Sequence, residues 1–286
     1  MAGNTSPAGM SSAEFIAGHL AANQPLVSRG WCRQWWPQPP PWDLDELARR
    51  FGACRVPVFD SLFEMQRVVR FEEYISAMAD GVADGEPVPY MRWYARQRNF
   101  QMICADDAFA ELKGDWAAPS WLPSDDYVFP AIKENADPTK DSFPAKGLFL
   151  CAAGGRTRLH VDPWASDACL CQITGEKRFV LYPPAAGKAL SDGAGVVDLD
   201  RPDTARFPLW NSVEPALDVT LQPGDAIFIP AGWYHTAVAL SASVSVTWNF
   251  VHAVNADRFA KYLDSGGSAD PTVKYFRRQH RSEGYA

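Results

Sequence analysis

The chain has 286 residues, 47% of them hydrophobic and 13% aromatic, with a formal net charge of -7. That is enough apolar material for one large domain or two small ones, and it excludes a largely disordered chain. The acidic balance argues against a sequence-wide electrostatic grip on nucleic acid or an anionic membrane, and no apolar run approaches the ~20 residues needed to cross a bilayer. No secretory signal opens the chain. The six cysteines (Cys32, Cys54, Cys104, Cys151, Cys169 and Cys171) form no zinc-type pair of C-x2-C motifs. Reduced thiols in a cytoplasmic protein, or a nuclear one in a eukaryote, are therefore expected. Cys169 and Cys171 would share one strand face, as buried small hydrophobes rather than ligands.

In chain order, residues 1–10 read as a Gly-, Ser- and Pro-rich tail. Ser11-Ser-Ala-Glu14 is a capping box, and Phe15, Ile16 and Leu20 follow at helical spacing, so a helix is predicted over residues 12–23. "QPLVSRG" reads as a strand running into a loop. Trp31, Trp35, Trp36 and Trp42 lie among prolines; an aromatic cage for a cation is one reading, and packing onto the core is the preferred one. "DLDELARRFG" is a short helix with Asp43 as N-cap and Gly52 as its stop. "CRVPVFD" is a strand, "FEEYISAMADG" a helix ended by Gly81, and "VPYMRWYA" a strand. Residues 104–143 are mixed, with loops around Pro119, Pro123 and Pro138.

From residue 146 the texture changes to short β-rich runs separated by turn signals: "GLFLCAA", "TRLHVD", "ACLCQI", "KRFVLYPP", "ALDVTL", "AIFIPA", "YHTAVAL" and "SVSVTWNFV". Many short strands at close spacing predict a mainly β sandwich or jelly roll with flanking helices. Residues 256–282 read as a charged helical segment and a candidate dimer interface. The chain is thus read as one domain over 1–286: an elaboration over 1–145, a β core over 146–253 and a helical segment over 254–286.

Two segments carry the chemistry. "TRLHVDP" supplies His160 and Asp162, and "PGDAIFIPAGWYH" supplies His235. Two imidazoles and one carboxylate are the facial triad of non-heme iron(II) oxygenases, which holds one face of an octahedral ion and leaves the other open. His160 and Asp162, two apart, would project to one face of a strand. His160 taken alone is equally a satisfied core histidine; the second, independent segment is what favours a metal site. Lys177, after Gly175-Glu176, would point into a barrel and need an anion, because an unpaired buried ammonium is unfavourable. Arg178 would face the other way.

These segments resemble the JmjC (Jumonji C) oxygenases, a branch of the cupin fold, most specifically over residues 147–251: "TRLHVDP" and "PGDAIFIPAGWYHTAVAL" resemble the family's metal segments, and "CQITGEKRFVLYPP" its co-substrate lysine segment. The resemblance implies a double-stranded β-helix that binds Fe(II) through His160, Asp162 and His235 and uses 2-oxoglutarate and O2. It implies Lys177 and Thr157 on the distal carboxylate of 2-oxoglutarate, Thr247 and Asn249 lining the co-substrate pocket, and Tyr90 helping to hold the same molecule. Leu170 stands where some relatives carry an asparagine, which removes one implied co-substrate contact. The chain looks most like small JmjC-only hydroxylases of protein residues and carries no Cys-rich zinc module. The expected reaction is therefore hydroxylation of a protein or peptide side chain. N-methyl demethylation, small-molecule oxidation and a non-oxygenase metal-binding cupin are the alternatives.

Overall fold

The structure is a computed structural model, and it describes residues 9–31, 42–80, 87–95, 104–112, 114–129 and 145–283. Its strands are β1 (Leu26–Ser28), β2 (Arg55–Phe59), β3 (Met65–Arg70), β4 (Tyr90–Tyr94), β5 (Tyr127–Phe129), β6 (Gly147–Cys151), β7 (Arg156–His160), β8 (Asp167–Thr174), β9 (Lys177–Tyr182), β10 (Leu217–Leu221), β11 (Ala226–Ile229), β12 (Tyr234–Ala239) and β13 (Ser243–His252). The helices are α1 (Ser12–Phe15), α2 (Leu44–Phe51), α3 (Phe71–Asp80), α4 (Asp106–Glu111), α5 (Gly187–Leu190), α6 (Ala256–Asp264) and α7 (Pro271–Glu283).

The strands form two antiparallel sheets. The larger runs β1-β11-β8-β13-β6-β4-β2-β3, with β5 added beside β13; the smaller runs β10-β9-β12-β7. Period-2 alternation divides the large sheet's residues between two cores. On β13, Val244, Val246, Trp248 and Phe250 point outward and pack, with Met91 and Trp93 of β4, under the N-terminal helices, where Phe15, Leu47, Phe51 and Phe71 close the layer. Each such side chain, fully buried, contributes on the order of 1.5–3 kcal/mol. The opposite faces meet the small sheet: Leu170 and Ile227 pack against Phe179, Leu181 and Ala237. The same alternation turns Ser245, Thr247 and Asn249 of β13, and Tyr90, Arg92 and Tyr94 of β4, toward the space between the sheets. A mainly β jelly roll with flanking helices is what the strand-rich texture predicts.

Several local expectations change. The helix predicted over 12–23 is a single α turn followed by a π turn at Ile16–Leu20. The segment 256–282 is two helices, broken where Gly266 adopts φ +110°; Phe259 of α6 and Val273 and Phe276 of α7 pack on Phe129, Trp164 and Val251 of the same chain. β3, β5 and α4 are additional elements. Trp42 is buried in the main core and Trp31 packs against it, as the preferred reading expects; Trp35 and Trp36 lie outside the described residues, as does Gly81. Cys169 and Cys171 are buried in the outer core.

Candidate metal centre

The site lies between the sheets, in a cavity of about 530 Å³, within the range of small-molecule sites. His160 ends β7 and His235 is the second residue of β12; the two strands pair with His160 directly opposite His235. The imidazole centroids are 4.1 Å apart. Asp162 does not share a strand with His160. β7 ends at His160, and the carboxylate comes from the loop beyond it. That loop turns back at once: Trp164 and Ala165 both have positive φ, and the Ser166 amide donates to the Pro163 carbonyl. Two consecutive non-glycine residues in the left-handed region are an unfavourable conformation that surrounding packing must hold. That packing is present: Trp164 is wedged among C-terminal side chains, and Arg258 of α6 donates to the Ala165 carbonyl and pairs with Asp167.

One donor atom from each of His160, Asp162 and His235 lies within 4.8 Å of the others. The shorter separations are 3.7 Å from His160 Nε2 to Asp162 Oδ1 and 3.8 Å from His235 Nε2 to Asp162 Oδ2. These are too long for hydrogen bonds, and Asp162 Oδ2 is buried with no hydrogen-bond partner. Each imidazole Nδ1 faces a backbone carbonyl, His160 that of Arg158 at 2.8 Å and His235 that of Trp233 at 3.1 Å. A carbonyl can only accept, so Nδ1 of each neutral ring carries the proton and Nε2 presents a lone pair to the centre. Burial and the nearby His235 hold the His160 imidazole well below the usual histidine range, which keeps it in the neutral, ligating form. Burial also pushes the Asp162 carboxyl up, while His235 and Asn249 act in the opposite sense. Two converging lone pairs beside an orphaned carboxylate oxygen form a donor set that fits a divalent cation, with the outer hydrogen bonds that fix ligating histidines already in place.

Lys177 opens β9 and is 1% exposed, while its neighbour Arg178 points outward to Asp218. Its ammonium donates to the hydroxyls of Ser245 (2.6 Å) and Tyr90 (3.0 Å), and no carboxylate among the described residues pairs with it. Burial lowers its pKa to about 8. Lys177, Thr157 and the triad line the same cavity, so one anion can meet an ammonium at one end and a metal cation at the other.

The structure places the remaining predicted residues as follows. Thr157 is buried, and the β7–β12 register shifts between His160 and Thr157, so that two residues three apart both reach the cavity. Asn249 donates to Ser166 Oγ, and the hydroxyl of Thr247 donates to the Cys169 carbonyl; both line the cavity. Leu170 contributes an apolar wall. Ser245, Gln172 and Arg92, which the sequence motifs do not mark as site residues, are buried behind the lining, where Ser245 bonds Lys177, Gln172 bonds Ser245 and Arg92 bonds Thr157. Ser245 Oγ donates to Gln172 Oε1, which anchors the lysine's partner. A polar residue every second position in "SVSVTWN" is the signal that marks Ser245, and Arg92 likewise stands two after Tyr90. At the mouth, Phe63 in the β2–β3 hairpin sets its ring against that of His160 at 4.9 Å.

Residues 11–256 match the cupin-like domain family, and the chain belongs to that family. It is similar to the 2-oxoglutarate and iron-dependent oxygenase JMJD4 of Gallus gallus (26% identity over 85% of this chain and 58% of that protein) and of Homo sapiens (26% over 90% and 63%). It is also similar to the lysine-specific demethylase JMJ21 of Arabidopsis thaliana (27% over 82% and 24%) and to the tRNA wybutosine-synthesizing protein 5 of Homo sapiens (25% over 80% and 65%). The chain spans about three-fifths of the length of the JMJD4 relatives. Among the described residues, no helix is long and apolar enough to cross a membrane.

Proposed function

We propose that the chain is an Fe(II)- and 2-oxoglutarate-dependent oxygenase that hydroxylates a C–H bond on a protein or peptide side chain. The observation that carries this reading is the pairing, in one cavity, of a two-histidine, one-carboxylate donor set with the buried ammonium of Lys177. A metal-binding protein with no acidic co-substrate has no use for that ammonium, which burial disfavours. The JMJD4 relatives, named as 2-oxoglutarate and iron-dependent oxygenases, support the same chemistry.

His160, Asp162 and His235 would hold the iron, their Nε2 lone pairs and carboxylate oxygens already converging. When bound, the iron supplies oxygen activation coupled to decarboxylation of the keto acid to succinate and carbon dioxide. The other residues bind and orient. Lys177 neutralises the distal carboxylate, and Thr157 and Tyr90 contribute hydroxyls beside it. Leu170, Phe179 and Ile229 wall this end against water. Phe59, Phe63, Tyr94 and Trp164 surround the outer part of the cavity, where a substrate side chain would present its carbon.

Mass spectrometry of candidate peptides incubated with enzyme, Fe(II), 2-oxoglutarate and ascorbate tests the reading. Gain of one oxygen is the expected result. Loss of one methylene assigns N-methyl demethylation instead, and 2-oxoglutarate consumption on metabolites alone moves the substrate to a small molecule.

A further inference from the structure

A second buried cation stands beside Lys177. Arg92, on the inward face of β4, is 0% exposed. No carboxylate among the described residues pairs with it, and its Nε has no hydrogen-bond partner. The guanidinium is nevertheless fixed on three sides. Nη1 donates to the Asp60 carbonyl at 2.7 Å. The rings of Tyr90 and Phe63 each lie 4.2 Å from its central carbon, an arrangement in which the ring faces attract a desolvated cation. The remaining nitrogen, Nη2, lies 3.3 Å from Thr157 Oγ1.

The chemistry of that last contact is one-directional. A guanidinium has no acceptor, so Thr157 accepts from it. The threonine hydroxyl has a single hydrogen, and no acceptor among the described residues takes it. Because Thr157 lines the cavity, that hydrogen is free for an anion there. We propose that Arg92 is a positioning residue that fixes Thr157 as a hydrogen-bond donor toward the anion held by Lys177. The inference rests on the 2-oxoglutarate reading above and names the residue that orients one of its contacts. Replacing Arg92 by lysine keeps the charge but removes the flat fork that is stacked between two rings and bonded at both ends.

The test measures binding rather than turnover. Calorimetry with Mn(II) alone and then with 2-oxoglutarate on the Mn(II)-loaded protein gives the two affinities separately. It is applied to wild type, T157V, T157S, R92M, R92K and R92M/T157V, with thermal melting alongside. The expected result is that R92M and T157V each weaken 2-oxoglutarate binding by about tenfold, that the double variant is little weaker than either single, that T157S retains the wild-type affinity and that Mn(II) affinity is unchanged throughout. R92K is expected to bind weakly like R92M, despite its charge. Additive losses in the double variant, or unchanged affinity in the Arg92 variants, overturn the inference while leaving the functional reading in place. If R92M does not fold, R92K and R92K/T157V close the same cycle. Absence of any 2-oxoglutarate binding by wild type overturns the functional reading itself.

Discussion

His160 and His235 are cross-strand partners, directly opposed on β7 and β12 with their ring centroids 4.1 Å apart, and both present Nε2 because both Nδ1 atoms face carbonyls. The pair is therefore set by sheet register, and each ring is oriented by the carbonyl its Nδ1 faces. Replacing either histidine with alanine should leave the fold intact and weaken Fe(II) or Mn(II) binding by more than the roughly 10–100-fold that accompanies loss of an outer hydrogen-bond partner. Metal titration with circular dichroism checks this; undiminished metal affinity in H235A contradicts it.

Lys177 gives the anion site a pH dependence of definite sign. Its folded pKa, near 8, lies below the ordinary lysine value of 10.5, so above pH 8 the protein without ligand holds mostly the neutral amine. A bound carboxylate favours the ammonium. Binding of 2-oxoglutarate at pH 9 should therefore take up a proton, and affinity should fall as pH rises beyond 8. Calorimetry in buffers of different ionisation enthalpy reads the proton directly; no uptake at pH 9 speaks against Lys177 as the anchor.

The same residue separates stability from function. With a depressed folded pKa, the unfolded chain binds more protons between pH 8 and 10.5, so stability rises with pH across that window and the burden is full below pH 8. K177M should raise the stability of the ligand-free protein at pH 7 by about 1–3 kcal/mol while abolishing 2-oxoglutarate binding. Chemical denaturation of both proteins measures it.

Asp167 ties three segments together. It accepts from the Ala231 amide in the turn before His235, and it pairs with Arg258 of α6 at 2.9 Å. Burial raises its pKa to about 6 even with that partner, so its contribution favours the fold below pH 4 and is lost as pH rises through 6. R258A leaves the carboxylate without its cation. It should cost about 3 kcal/mol at pH 7, the lower end of the buried-pair range because Arg258 is 29% exposed. The deficit should shrink as pH falls through 6, where Asp167 of the wild-type fold takes up its proton and the ion pair is lost there too. A constant deficit from pH 4 to 7 contradicts this assignment.

The strands of the β core and the ligand set His160, Asp162 and His235 were legible because alternation, turn residues and the two short segments that carry the ligands are local signals. Lys177 was legible for a similar reason, since the Gly175 turn sets which face the first residue of β9 takes. Other parts were not legible because they depend on pairing. A regular strand would send Thr157 and His160, three apart, to opposite faces, and only the irregular β7–β12 register brings both to the cavity. Asp162 reaches the site from a strained turn held by Trp164 and Arg258, contacts made by a helix about 90 residues later in the chain. The hairpin that brings Phe63 to His160 joins β2 to a strand, "MQRVVR", whose largely exposed and partly charged residues lack the alternation of a half-buried strand.

The central claim is that the triad and Lys177 serve one reaction. The most direct test is release of labelled carbon dioxide from 2-oxoglutarate labelled at the carboxyl next to the keto group, measured with and without Fe(II) and O2 on wild type and D162A. The expected result is release that requires both Fe(II) and O2 and disappears in D162A. Wild-type protein that holds zinc or manganese tightly and, reloaded with Fe(II), never consumes the keto acid would contradict the claim.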